Sequence, residues 1–166
     1  MASLGKPVPL QATGVGVALD HDGPLEGVIL MGPSGIGKTS TALALIEGCP
    51  FQRSALIGDD MVLLSTESGQ IFAAPPQAMA GFAEIRGFGL TKARMSADTR
   101  LRLMVKLTDS VPTRVSSPTQ AGLGETGLSL PSITLKGHNI AATDLAIRIR
   151  SILPVSYTHL TLPTKA

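Results

Sequence analysis

The chain has 166 residues, 43% of them apolar and 16% charged, with a formal net charge of +2. That is about one domain of chain, apolar enough for a single sizeable core and without the basic excess that favours nucleic acid or an anionic membrane. No apolar run approaches the roughly 18 residues of a membrane span, and the single cysteine, Cys49, excludes an internal disulfide.

The first stretch, MASLGKPVPLQATG, has neither the charged head nor the apolar middle of a signal peptide. A reducing cytoplasm is therefore the expected compartment. TGVGVAL (13–19) alternates loosely and reads as a strand, followed by an Asp- and Gly-rich turn, DHDGPLEG. GVILM (27–31) is a continuous apolar run, the pattern of a strand buried on both faces. KTSTALALIEG (38–48) switches to helical spacing, with Ala42, Leu45 and Ile46 on one face and Gly48 as the stop. SALI (54–57), MVLLS (61–65) and IFAA (71–74) read as strands, and RLRLMVKL (100–107) as a half-exposed strand. SITL (132–135) precedes TDLAIRIRSIL (143–153), a helix with Thr143 as N-cap and Leu145, Ile149 and Ile152 on one face. Strand, glycine-rich turn, helix and further strands give the α/β class.

Between the second strand and the first helix stands GPSGIGKTS (32–40), which fits G-x-x-x-x-G-K-[ST] at Gly32, Gly37, Lys38 and Thr39. Glycines let successive backbone N–H groups turn inward around a phosphate, and the following helix adds its unpaired donors and positive dipole end. Residues Gly32, Pro33, Ser34, Gly35, Ile36, Gly37, Lys38 and Thr39 are thus the nucleotide-binding segment. Lys38 bridges the β- and γ-phosphates, and the Thr39 hydroxyl is a Mg²⁺ ligand. The strand–loop–helix context makes this a nucleotide site.

A P-loop alone does not separate kinase from GTPase or ATPase. SALIGDD ends a short apolar strand in two carboxylates, and strand alternation keeps Asp59 and Asp60 from aiming at the same phosphate. Further on, GFAEIRGFG (81–89) sets Glu84 and Arg86 beside a Gly-x-Gly turn. In this order GPSGIGKT, GDD and GFAEIRGFGL resemble the catalytic domain of HPr kinase/phosphorylase, over about residues 8–153. The ending LSLPSITL…AATDLAIRIR resembles the short form of that family, which consists of the C-terminal catalytic domain alone.

The resemblance implies a P-loop domain with a central mixed sheet and flanking helices. It implies an ATP- and Mg²⁺-dependent protein serine kinase, possessing also a phosphate-driven reverse activity, that acts on an HPr-like phosphocarrier in phosphotransferase signalling. By the same resemblance Asp59 is the shared base and acid, Lys38 neutralises charge on the transferred group, and Thr39 and Glu84 hold Mg²⁺. Arg86 belongs to the signature loop, and Arg114 in VPTRVSS aligns with an active-site arginine. A homo-oligomer, a hexamer in the family, is implied, with neither nucleic acid nor membrane as partner. Two departures bear on the reverse reaction: Gln11 stands where the family has a histidine, and KGHN (136–139) replaces an arginine-bearing PGRN. ALDHDGPLEG and CPFQRS are longer than the family's connections. The competing readings are another P-loop enzyme, a small-molecule kinase or a GTPase, and a non-catalytic nucleotide-binding module. The GTPase reading lacks the guanine-reading Asn-Lys-x-Asp.

His21, His138 and His159 do not share metal-ligand spacing, and Cys49 has no nameable partner for a nucleophilic dyad. VSYTHLTLPT (155–164) resembles the translation of a sequencing adapter. The expected organisation is a catalytic domain over residues 1–154 and a non-native or disordered tail over 155–166.

Overall fold

The computed structural model describes residues 7–76, 82–85, 89–92, 98–110, 119–123 and 126–161, with the backbone path alone for 82–85, 89–92 and 155–161. In chain order the elements are β1 (Val8–Leu10), β2 (Thr13–Val17), β3 (Glu26–Met31), α1 (Lys38–Glu47), β4 (Ala55–Gly58), β5 (Val62–Glu67) and β6 (Gln70–Ala74). They continue as β7 (Phe82–Ile85), β8 (Gly89–Lys92), β9 (Thr99–Thr108), β10 (Thr119–Gly122), β11 (Ser129–Lys136) and α2 (Ala142–Thr161).

The main sheet runs β1-β5-β6-β9-β3-β2-β4, and β11 attaches to β9 and β10 to β11. β9 is parallel to both β3 and β11, whereas the other pairings are antiparallel, so the sheet is mixed. β7 and β8 form a separate hairpin. On one face of the sheet, Val15, Val28, Leu30, Leu56, Leu103 and Val105 pack with Ala42 and Leu45 of α1 and Leu145, Ile149 and Leu153 of α2. Among the described residues no helix covers the second face: Ile29, Ile57 and Met104 meet Val62 and Leu64 of β5, Ile71 of β6 and Leu130 of β11. β2 and β4 are buried at every position and β3 at all but its last, as continuous apolar runs require.

The stretch 100–107 is not a half-exposed strand. It lies within β9, inside the sheet, with Leu101, Leu103, Met104, Val105 and Leu107 all buried. Its alternating charges are handled separately. Lys106 reaches solvent, whereas Arg102 donates from Nε to Glu26 Oε1 at 2.6 Å with both side chains largely covered. The register against β3 slips there, because Gly27 opposes Leu101 and Val28 opposes Leu103. Arg102 is thus the extra residue of a β-bulge. The bulge explains why Leu101 shares a core face with Met104 while Leu103 joins Val105 and Leu107 on the other.

α2 begins at Ala142, one residue before the expected Thr143 cap. The N–H groups of Asp144 and Leu145 both donate to the Ala141 carbonyl, so the turn closes on Ala141. Its buried face is Leu145, Ala146, Ile149 and Leu153, with Ile152 partly covered. The helix also runs through Pro154 to Thr161 rather than ending there. Near its middle, Arg150 Nη2 donates to the Leu45 carbonyl of α1 at 3.1 Å, satisfying one of the acceptors that a helix C-terminus leaves without an internal partner. β1, β10 and the β7–β8 hairpin had no clear apolar pattern in the sequence.

Candidate functional site

β3 delivers the chain to Gly32 at the sheet's edge. A Cβ on Gly32 would stand 2.6 Å from the Leu107 carbonyl of β9, so only glycine lets the loop leave so close to the neighbouring strand. At the other end of the loop Gly37 has φ 105°, a conformation that L side chains rarely adopt, and it is the N-cap of α1. No side chain caps that helix. Its first-turn N–H groups, which by geometry have no intrahelical acceptor, are therefore donors for a phosphate, reinforced by the helix dipole. Lys38 folds back over the loop, its Nζ donating to the carbonyls of Gly32 and, at 3.1 Å, Pro33.

The four buried residues of β4 end at Gly58 and place Asp59 at the same edge, 4% exposed. Thr39 Oγ1 donates to Asp59 Oδ1 at 2.6 Å, joining the P-loop helix to the acid. Asp60 turns away. It is exposed with φ 67°, and its carbonyl accepts from the Ala12 N–H at 3.1 Å. The exposed Gln11 is therefore one residue from a direct contact with the aspartate pair. The 136–139 segment also lies here: Gly137 N–H donates to Thr108, and a Cβ on Gly137 would sit 3.1 Å from the Ile36 carbonyl of the P-loop.

The sequence-derived residues thus divide. Gly32 to Thr39 and Asp59 are brought together. Glu84 lies on β7, whose backbone comes within 8 Å, Cα to Cα, of α1. Arg86 and Arg114 lie outside the described residues. The Thr39–Asp59 bond and the approach of Gly137 to Ile36 are absent from the sequence reading. A carboxylate closing a wholly buried four-residue strand was the available signal for the first. Nothing local signals the second, because it depends on β11 lying parallel to β9.

Among the described residues no three His, Cys, Asp or Glu side chains are grouped to hold a metal. Thr39 and Asp59 nevertheless offer hard oxygen donors at a phosphate loop, the chemistry that suits Mg²⁺ shared with a nucleotide. His21 packs edge-on against Phe51, with ring centroids 4.7 Å apart, and His138 is exposed. Cys49 is buried. Burial pushes its thiol up, but hydrogen bonds from the Ser54 side chain and the backbone of Arg53, Ser54 and Phe51 outweigh this and bring it down to about 6. No helix among the described residues is long and apolar enough to cross a membrane.

The family model for the HPr Serine kinase C-terminal domain matches residues 12–116. An HPr kinase/phosphorylase of Bordetella pertussis is 38% identical over 106 residues, covering 63% of this chain and 32% of that protein. One from Malacoplasma penetrans is 30% identical over 93 residues, covering 52% of this chain and 30% of that protein. The chain thus spans about a third of the length of these relatives. Among solved structures, the HPr(Ser) kinase/phosphatase of Coxiella burnetii superposes with a TM-score of 0.72 at 20% identity, covering 92% of this chain and 98% of that one. That likeness establishes the fold, a mixed sheet with flanking helices carrying a P-loop.

Proposed function

The chain belongs to the HPr Serine kinase C-terminal domain family, and on that premise we propose that it transfers the γ-phosphoryl group of ATP, with Mg²⁺, to a serine of an HPr-like phosphocarrier. The observation that carries this reading is the bond from Thr39 to Asp59, which seats a buried carboxylate against the first turn of the P-loop helix.

The serine hydroxyl attacks the γ-phosphorus, the bond to the β-phosphate oxygen breaks, and the hydroxyl proton passes to the Asp59 carboxylate. In the phosphate-driven reverse reaction the protonated Asp59 returns that proton to the leaving serine. Lys38 leaves its own loop's carbonyls for the β- and γ-phosphates, and the N–H groups of the loop and first turn hold the remaining oxygens. Thr39, with Glu84, would hold Mg²⁺, which when bound neutralises charge on the phosphates. Because the Thr39 hydroxyl donates its hydrogen bond to Asp59, its oxygen keeps lone pairs for a cation. By the family resemblance Arg86 is assigned to the signature loop, where it steadies the loop or touches phosphate, and Arg114 to the phosphate oxygens. Residues 1–154 are proposed as the catalytic domain, acting as a homo-oligomer in the cytoplasm as part of phosphotransferase signalling.

Incubating the purified protein with labelled ATP, Mg²⁺ and an HPr-like carrier should place label on a carrier serine, and Lys38→Ala should abolish both transfer and tight nucleotide binding. Retained ATP binding without transfer by the parent protein would favour a non-catalytic module. Undiminished ATP affinity in Lys38→Ala would overturn the site.

A further inference from the structure

Towards the end of the sheet remote from the P-loop, β9 changes partners along one edge. Arg100 pairs with Phe72 of β6, and Met104 pairs with Ser132 of β11. Among the described residues no strand pairs with Leu101–Leu103 on that edge, because β6 and β11 diverge there. A pocket of about 190 Å³ opens in the fork, lined by Gln70, Arg100 and Arg102 together with Gln120 and Ser129 from the β10–β11 hairpin.

The two arginines are in different situations. Arg102 is engaged by Glu26. Arg100 is half-buried and belongs to neither ion pair of the described residues, and no acidic side chain among the described residues lines the pocket. Burial lowers the Arg100 guanidinium from its ordinary value, and the like charge of Arg102 lowers it further, against a smaller opposing effect of Glu26. What the described lining lacks is a counter-charge to Arg100. It also holds oriented polar groups: Ser129 Oγ donates to Gln120 Oε1 at 2.7 Å, which leaves the Gln120 NH₂ as a donor. Arginine's planar fork matches the oxygens of a phosphate or a carboxylate.

We propose that this fork is a binding site for a small oxyanion, a phosphate or carboxylate group held by the Arg100 guanidinium and hydrogen-bonded by Gln120. It is separate from the nucleotide loop. Arg100 and Leu107, the residue beneath Gly32, are seven positions apart on β9, roughly 23 Å at the usual strand rise.

The test is an amide NMR titration of the full chain at constant ionic strength. The Lys38→Ala background keeps P-loop phosphate binding out of the signal. One arm adds inorganic phosphate and the other acetate. The amides of Arg100, Leu101 and Gln120 should shift and saturate, and the arm that saturates identifies the anion class; saturation in both assigns a general oxyanion site. Arg100→Gln should weaken binding about tenfold or more, as loss of a charge-assisted hydrogen bond implies, and Arg100→Lys less. Gln120→Ala, a substitution at an exposed position, should weaken it by a smaller factor and guards against a misfolded arginine variant. Shifts that never saturate, equal shifts with chloride, or an unchanged titration in Arg100→Gln would overturn the proposal.

Discussion

Thr39 and Asp59, twenty positions apart, share a hydrogen bond of 2.6 Å that ties the first turn of α1 to the end of β4. Asp59→Asn keeps the size and can still accept from Thr39, but it cannot take a proton from serine. Phosphoryl transfer should fall ~10²–10⁴-fold, the usual worth of general base catalysis, with nucleotide affinity little changed. Asp60→Asn should be nearly silent, because that side chain is exposed and asparagine tolerates its φ of 67°. Rates and nucleotide titrations on both variants decide this. A dead Asp60→Asn beside an active Asp59→Asn would reverse the assignment.

Thr39→Ala and Glu84→Gln each remove an oxygen ligand or its charge and should raise the Mg²⁺ concentration needed for half-maximal transfer. Thr39→Ser keeps the hydroxyl and should restore the parent's value. The check is a metal titration at saturating ATP; curves that superpose on the parent's would remove the residue concerned from the metal site.

The pair Glu26–Arg102 is an ion pair with side chains 10% and 18% exposed. Arg102→Leu strands Glu26 in the interior and should cost about 3–5 kcal/mol in denaturant unfolding. The double variant Glu26→Leu/Arg102→Leu should recover most of that loss, since two apolar side chains dispense with the desolvation of both charges. A double variant no more stable than the single one would mean that the bulge itself depends on the pair.

Cys49 links stability to pH. Its folded-state value, about 6, lies below that of an unfolded thiol, so in the window between them the unfolded chain binds more protons. Its contribution is full above the unfolded value and is lost as pH falls through about 6. Urea unfolding across this window should show stability rising with pH more steeply in the parent than in Cys49→Ser, which does not ionise. Parallel curves would mean that the thiolate is not held.

Truncation after Leu153 retains the buried side chains of α2 among the described residues and removes Pro154 with the adapter-like segment. The melting temperature and transfer rate should match those of the full chain. A large loss of either would make residues 154–166 part of the working structure.

Those parts of the fold whose signal is local were legible. GVILM, the P-loop and KTSTALALIE gave β3, the turn and α1 because each burial pattern or backbone demand is written in consecutive residues. That Asp59 and Asp60 point apart was legible from strand alternation, and the structure buries the first and exposes the second; the choice of Asp59 came from the family resemblance. β9 was misjudged because RLRLMVKL alternates like an exposed strand, and the acid that covers Arg102 lies 76 residues earlier. β1 and β10 are too short for periodicity to show, with three and four residues. The neighbours Ala12–Asp60 and Gly137–Ile36 arise from strand order, which no window of sequence encodes.

The bond from Arg150 to the Leu45 carbonyl spans 105 residues of chain. Because α2 follows α1 so far along the chain, the helix that begins with Lys38 can pack on β2 and β4 early but has neither its helical neighbour nor this acceptor's donor until α2 has been made. Contacts of such long sequence separation slow folding. The nascent chain therefore carries the motif before α2 can steady it, and full competence to bind phosphate is expected to appear only with the docking of α2.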